Sequence, residues 1–370
     1  MLSKRMLSKR IFWLMVAGAL SALAKDAPRM APVPTDPLEL VTGQIQAVDT
    51  PTSREAVVQL LSRARDSYAF RSAGHGYDLK VSFTVNSGGQ TEYDGAWEME
   101  DIFDPQQGLR WTAQAEAGYS TTQISSNGMF YGVGTASTFP LRLQEARAAL
   151  FDPIPAAGFI DQDSIRTSTS TFNGVQVTCV LLSGPQSGVA TTSGRRWEET
   201  EECIDPQSGL LRVHSQVPGR YYSYEYSNAL QLGGHMVPRR VIVTEGGKTI
   251  SEISVDSLVE LPSADPSLFV PSDEMKAAAP PIAMGEAQKI WRYAGRGPFT
   301  SRVTAHPVCV FGLVTPSGQL TEAHSLQPAD PNSQAAVETA KRMNFFYPTP
   351  PGARPQQHFM FIIEKFVASP

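Results

Sequence analysis

Residues 76–261 alternate apolar and polar side chains in short runs, each bounded by glycine, proline, asparagine or aspartate. A period of two sends successive side chains to opposite faces, so each run reads as a strand with one buried side. GYDLKVSFTVN, QTEYDGAWEMEDIF, GLRWTAQAEA, YSTTQISS and MFYGVG come first, followed by runs at 173–183, 195–204, 209–217, 220–227, 236–245 and 248–261. Roughly eleven strands with turns this short predict a largely antiparallel sheet, because parallel pairing needs long crossovers. Two helices interrupt the pattern. REAVVQLLSRARDSYAF (54–70) sets Val57, Leu60, Leu61, Ala64 and Tyr68 at helical spacing, with Ser53 as N-cap. PLRLQEARAALF (140–151) is the second.

One turn recurs. IFDPQQGLRW (102–111) and CIDPQSGLLRV (203–213) share D-P-Q-x-G-L, and VTPSGQL (314–320) is a shorter relative. Proline presets φ, the Asp or Thr side chain accepts a backbone hydrogen bond, and glycine supplies the positive φ. A calcium loop would need more oxygen ligands close by, so these are read as hairpin turns.

The ends of the chain bear on where it works. Lys4, Arg5, Lys9 and Arg10 precede the apolar run 11–24, which closes in Ala22-Leu23-Ala24. That is the layout of an export signal, and the run is shorter than the ~20 residues that span a bilayer. Cleavage after Ala24 is expected, leaving a periplasmic or secreted protein with no transmembrane span. Removing the four basic residues takes Lys+Arg from 31 to 27 against 36 acidic residues, a net charge near −9. Nucleic-acid binders carry a basic face, and this composition argues against that class. Residues 25–53, rich in proline and without periodicity, are expected to be a tether. About 345 residues remain, enough for two domains.

Exported cysteines pair. NGVQVTCVLLSG (173–184) and RRWEETEECID (195–205) read as neighbouring strands, and folding them about residue 191 sets Cys179 opposite Cys203. A disulfide is expected there. A zinc site would need a histidine or third cysteine at ligand spacing, and no metal site is expected. Cys309, in PVCVFGLV, reads as a buried strand residue. Glu198, Glu199, Glu201 and Glu202 fall on both faces of one strand and read as solvated.

Residues 272–300 lose the alternation and gain alanine, proline and glycine. This stretch is expected to be a linker between a domain over 54–271 and another over 301–370. The latter runs strand (RVTAHPVCVFGLV), turn (TPSG), strand (QLTEAHSL), helix (about 332–344) and strand (HFMFIIEKFV). This order resembles the TonB C-terminal domain family. VCVFGLVTPSGQLTEAHSL matches its first half, AAVETAKRMNFFYPTP the helix and exit, and MFIIEKF the closing strand. Met343 stands where that family has tryptophan, and an extra aromatic precedes Pro348. Residues 50–272 resemble the LolA/LppX lipoprotein-carrier fold through the initial helix, the paired cysteines, GGHMVPRRVIV and DPSLFVP. Together these imply a mainly β (α+β) chain: an incomplete antiparallel β-barrel with one or two helices, followed by a small TonB-like α/β domain.

Catalytic motifs are not evident. His75, His214, His235, His306, His324 and His358 are scattered, and neither H-E-x-x-H nor G-x-S-x-G occurs. No enzymatic activity and no cofactor are expected. RYYSYEYS (220–227) places Tyr222, Tyr224 and Tyr226 on one face, and Trp97, Met99, Trp111 and Phe130 lie in other strands. In a curled sheet these seven would line an apolar cavity or simply form its core. The last strand, with His358, Phe359, Met360, Phe361, Ile362 and Ile363, has none after it and is expected at a sheet edge. A periplasmic or outer-membrane partner peptide could add there, unless Glu364 and Lys365 protect the edge. The expected function is non-enzymatic binding of a lipid or lipoprotein segment, with protein contact through the TonB-like domain. The alternatives are an energy transducer for outer-membrane transport, which would need its anchor uncleaved, and a structural envelope protein without a small ligand.

Overall fold

The structure is a computed structural model describing residues 43–68, 74–151, 153–154, 164–184, 194–281, 285–294, 305–345 and 358–367, with backbone alone at 285–294, 305–307 and 358–367. The expected export signal and residues 346–350 of the aromatic block KRMNFFYPTP lie outside these residues. No helix among the described residues is long and apolar enough to cross a membrane.

Helix α1 (Pro51–Tyr68) opens the fold and buries Val57, Leu60, Leu61, Ala64 and Tyr68, the stripe its spacing predicts. It starts two residues before the expected cap. Thr50 Oγ1 accepts from Ser53 N–H at 3.2 Å while Ser53 Oγ accepts from Thr50 N–H at 3.3 Å, a reciprocal cap. The first meander contains β2 (Gly76–Val85), β3 (Gly95–Asp104), β4 (Gly108–Ala115), β5 (Ser120–Ser126) and β6 (Met129–Gly134). Helix α2 (Leu141–Phe151) then leads to β7 (Ser164–Phe172), β8 (Val175–Ser183), β9 (Thr200–Ile204), β10 (Leu211–Val217) and β11 (Arg220–Glu225). A small hairpin, β12 (Leu230–Leu232) and β13 (His235–Val237), precedes β14 (Arg240–Glu245) and β15 (Lys248–Leu261).

Thirteen strands form one sheet in the order β1-β7-β8-β9-β10-β11-β14-β15-β2-β3-β4-β5-β6, where β1 is Gln46–Ala47. The pairings are antiparallel, and β15 joins the two meanders by pairing with β2 from Ser251↔Val85 to Leu261↔Gly76. The ends, β1 and β6, do not pair with each other, so the sheet stays open. Strand β7 (SIRTSTSTF) had no counterpart among the expected strands, because its serines and threonines hide the apolar alternation; β-branched threonine nonetheless suits a pleated surface.

The inner face is filled from within the chain. Trp97, Phe83, Tyr222, Tyr224 and Val243 share one core with Leu61 and Ala64 of α1 and with Leu143, Ala146 and Leu150 of α2. Burial of each large apolar side chain contributes roughly 1.5–3 kcal/mol. Both D-P-Q-x-G-L segments are hairpin turns. Asp104 Oδ1 accepts from Gln106 and Gln107 N–H at 2.8 and 3.1 Å, and Asp205 Oδ1 accepts from Gln207 N–H at 2.9 Å. Cys179 pairs directly opposite Cys203 and the two form a disulfide.

After β15 the chain makes a 3₁₀ turn (Pro266–Phe269) and the short helix α3 (Asp273–Ala277), which packs against β6. The stretch expected to be a plain linker therefore holds α3 and also β16 (Gly285–Ala294). The C-terminal elements are β17 (Ala305–Val314), β18 (Leu320–Ser325), helix α4 (Ser333–Lys341) and β19 (His358–Val367), in a sheet ordered β16-β19-β17-β18. Strand β19 is not an edge. Residues His358, Phe359, Met360, Phe361, Ile362 and Ile363 pair antiparallel with β17, and β16 adds in parallel on the other side. The expected edge is thus internal, because a strand lay unrecognised in the linker.

The period of two in β17 serves two contacts. Val308, Val310 and Val314 pack with Ala336, Ala340 and Phe345 around α4. Cys309 and Phe311, on the other side, pack with Leu141 and Val217 of the large sheet's elements. Cys309 is a buried core residue, as its strand context implies. Gly318 closes the β17–β18 turn at φ +84°, and a Cβ there would overlap the Phe345 carbonyl. Phe345 N–H in turn donates to the Gly318 carbonyl at 2.9 Å, pinning the exit of α4 to that turn.

Candidate functional site

The open end of the large sheet retains an apolar pocket of about 360 Å³. Leu109 and Trp111 of β4 and Phe130 of β6 form its sheet wall, and Phe139, Gln144 and Arg147 approach from the α2 side. Pro280 and Pro281, just past α3, line it as well. Register explains the convergence: Trp111 pairs with Gln123, and Phe130 lies one strand further at Ser125, so both point to the inner face. Gly132 stands opposite Gln123, and a Cβ there would overlap the glutamine side chain. Small size at that position keeps room at the wall.

Of the seven residues expected at a cavity, Trp111 and Phe130 line this pocket. Trp97, Met99, Tyr222, Tyr224 and Tyr226 belong to the packed core instead. Helix α1 covers Tyr224 and Tyr226. Its Tyr68 hydroxyl hydrogen-bonds the Tyr226 hydroxyl, and its ring meets Tyr224 edge-on at 6.0 Å. Trp97 stacks on Phe83 at 5.2 Å and donates its indole N–H to the Tyr93 carbonyl at 3.0 Å. Burial raises the pKa of Tyr68, Tyr222, Tyr224 and Tyr226. They stay neutral at ordinary pH and offer hydroxyls, not phenolate bases.

The pocket's charged group is Arg147. Its guanidinium lies 3.9 Å from the Trp111 ring centre and contacts the buried Asp101 carboxylate at 3.1 Å. Asp101 also accepts from the Tyr77 hydroxyl at 2.7 Å. The cation is therefore neutralised and stacked, and the wall presents a flat amphipathic surface to the pocket. Such a space is suited to a slender apolar chain, with Gln144 and Arg147 beside it.

A second constellation was not legible from sequence. At the junction of the two sheets, Arg142 of α2 contacts Glu145 at 2.9 Å and Glu245 of β14 at 2.7 Å. Arg220 of β11 contacts Glu245 at 2.9 Å and also pairs with Glu145. His324 of β18 completes the set, its Nε2 lying 2.6 Å from Glu245 Oε2. Phe311 packs beneath both guanidiniums, 4.5 Å from Arg220 and 5.8 Å from Arg142. Burial by itself would raise the Glu245 pKa, but Arg142, the His324 hydrogen bond and Arg220 hold it well below the usual carboxylate range. Glu322 behaves oppositely. Desolvation pushes its pKa up to about 7, and its buried Oε2 has no hydrogen-bond partner. A groove of about 710 Å³, lined by Glu245, Lys248, His324 and Lys341 among others, opens onto this cluster.

The glutamates expected to be solvated are largely the reverse. Glu199, Glu201 and Glu202 are buried. Arg166 holds Glu199 at 2.6 Å, Arg195 holds Glu201 at 2.9 Å, and His214 Nδ1 lies 2.9 Å from Glu202. Arg166 comes from β7, Arg195 from the loop just before β9 and His214 from the adjacent β10, pairings that alternation alone cannot reveal. Glu201 also lies near Cys179 and Cys203, but both sulfurs are committed to the disulfide.

No protein-family description matches the sequence, and no curated protein matches it. Similar solved structures exist. A DUF1329 family protein from Desulfovibrio piger is 9% identical with a TM-score of 0.37, the match covering 58% of this chain and 96% of that one. A LolA superfamily protein from Nitrosomonas europaea is 12% identical with a TM-score of 0.33, covering 58% and 96%. A candidate outer membrane lipoprotein-sorting protein domain from Vibrio parahaemolyticus is 9% identical with a TM-score of 0.34, covering 56% and 95%. Likenesses this distant leave what the chain binds to be read from its own residues.

Proposed function

We propose that this chain is a non-enzymatic binding protein of the cell envelope, exported by its N-terminal segment, which holds an apolar chain of a lipid or lipoprotein. The observation that carries this reading is the pocket at Trp111, Phe130 and Phe139, apolar on its walls and edged by Gln144 and Arg147. Its volume lies at the small end of small-molecule sites, which span roughly 300–1,000 Å³. It therefore takes one slender chain and not a bulky multi-chain anchor. The acidic composition fits a cargo recognised by apolar contact rather than by phosphate.

The C-terminal sheet, with its TonB-like order of elements, would serve protein contact. Strand addition at β19 is blocked by β16, so a partner peptide would have to use an outer strand, β16 or β18.

The test is uptake of an environment-sensitive apolar probe by lipid-stripped protein, followed by displacement with single-chain amphiphiles. Specific uptake that Trp111→Asp abolishes, with folding intact by circular dichroism, supports the reading. A protein that takes up no probe refutes it.

A further inference from the structure

The pocket's rim carries a feature that binding alone does not require. Among the described residues, the large hydrophobic side chains left exposed are Met129, Phe130, Val259 and Val270, and the first two are consecutive in β6, projecting from opposite faces of the hairpin. Met129 is 57% exposed and Phe130 73% exposed. They begin β6, directly after the turn Asn127-Gly128, where φ is +53° and +74°. Two successive left-handed residues make a tight hairpin turn, and Ser126 pairs with Met129 across it. The two apolar side chains are thus held at a rigid tip.

The tip lies in a long stretch without charge. None of the 25 residues from Ala117 to Leu141 is Asp, Glu, Lys or Arg, in a chain where 18% of residues are charged. Strands at the end of a sheet normally carry charges, lysine above all, that keep other chains off. Strand β6 ends the large sheet and has none, α3 covering its flank instead. From this we propose that the β5–β6 hairpin is a bilayer-docking tip, whose Met129 and Phe130 enter the headgroup–acyl boundary and set the pocket's mouth against lipid.

Three observations favour a lipid surface over a protein. Two side chains on a convex tip cover far less than the ~800 Å² that each partner buries in a stable protein interface. The flank of β6 is already occupied by α3, which leaves strand addition little room. A neutral tip also enters the interfacial layer without stripping water from an ion, a step that is costly for a charged one. Continuity supplies the purpose. Phe130 is both tip residue and pocket wall beside Trp111, so an acyl chain could pass from bilayer to pocket without crossing water. The purpose rests on the binding function proposed above, whereas docking to lipid stands without it.

Flotation with vesicles of phosphatidylethanolamine and phosphatidylglycerol tests the tip. The full chain should float with vesicles, and added salt should not release it, since no charge on the tip is involved. Met129→Asp, which alters the tip but no pocket-lining residue, should weaken partitioning roughly tenfold or more while leaving uptake of the soluble apolar probe unchanged. Met129→Trp gives an independent reading: its fluorescence should shift to the blue when vesicles are added. Equal flotation of wild type and Met129→Asp overturns the proposal. So does binding that needs phosphatidylglycerol and disappears with salt, or an indole that shows no blue shift. A wild-type chain that floats but takes up no probe keeps the docking tip and refutes the pocket instead.

Discussion

Glu322 should make the stability of this protein fall as pH rises through neutrality. In the folded chain Glu322 faces Arg142 and Glu145 of α2, Glu245 of β14 and His324 on its own strand, and burial raises its pKa from 4.5 to about 7. A carboxyl whose folded pKa exceeds its unfolded value is neutral in both states below pH 4.5, so folding costs nothing there. Between the two values the folded state binds more protons, and above about pH 7 it must hold a buried charge. At 1.36 kcal/mol per pKa unit, the shift amounts to about 3 kcal/mol between mildly acidic and mildly alkaline solution. Glu322→Gln keeps the shape and removes the titration. Urea unfolding of both proteins at pH 5 and pH 8 isolates the effect, because the remaining groups largely cancel in the difference. The variant should be ahead by less than about 1 kcal/mol at pH 5 and by about 3 kcal/mol at pH 8. A difference that does not change with pH, or a variant less stable at pH 8, refutes the assignment.

Other perturbations have equally definite outcomes. Arg220→Met leaves Glu145 and Glu245 buried with Arg142 as their remaining guanidinium, and should cost roughly 3–5 kcal/mol in urea unfolding. Cys179→Ser with Cys203→Ser removes a cross-link between residues 24 apart and should cost roughly 3 kcal/mol; reductant should lower the wild-type melting temperature and leave this variant's unchanged.

What the sequence discloses and what it hides divides along physical lines. Local periodicity located α1 and the residues it buries, and turn chemistry located both D-P-Q-x-G-L hairpins. The disulfide was legible because one hairpin fixes the register of Cys179 against Cys203. Strands β7 and β16 were obscured for opposite reasons, the first by serine and threonine and the second by the alanine, proline and glycine around it. Missing β16 made β19 look like an edge. The buried charges were hidden because Arg142 and Glu245 lie 103 positions apart. Of the aromatic residues, Trp111 and Phe130 line open space whereas Trp97 and the tyrosines do not. That division depends on where α1 lies over the tyrosines and on the rings that close around Trp97, which no strand pattern encodes. KRMNFFYPTP reads similarly: Phe345 is buried against α4 and the sheet, so at least this aromatic packs rather than binds.

The most direct test of the binding function is mass spectrometry of lipid extracted from the chain purified without detergent. A single-chain or apolar-tailed molecule is expected in stoichiometric amount, lost when Trp111 is replaced by Asp in a variant that still folds. Wild-type protein that carries no lipid, and takes none up when lipid is supplied, would contradict it.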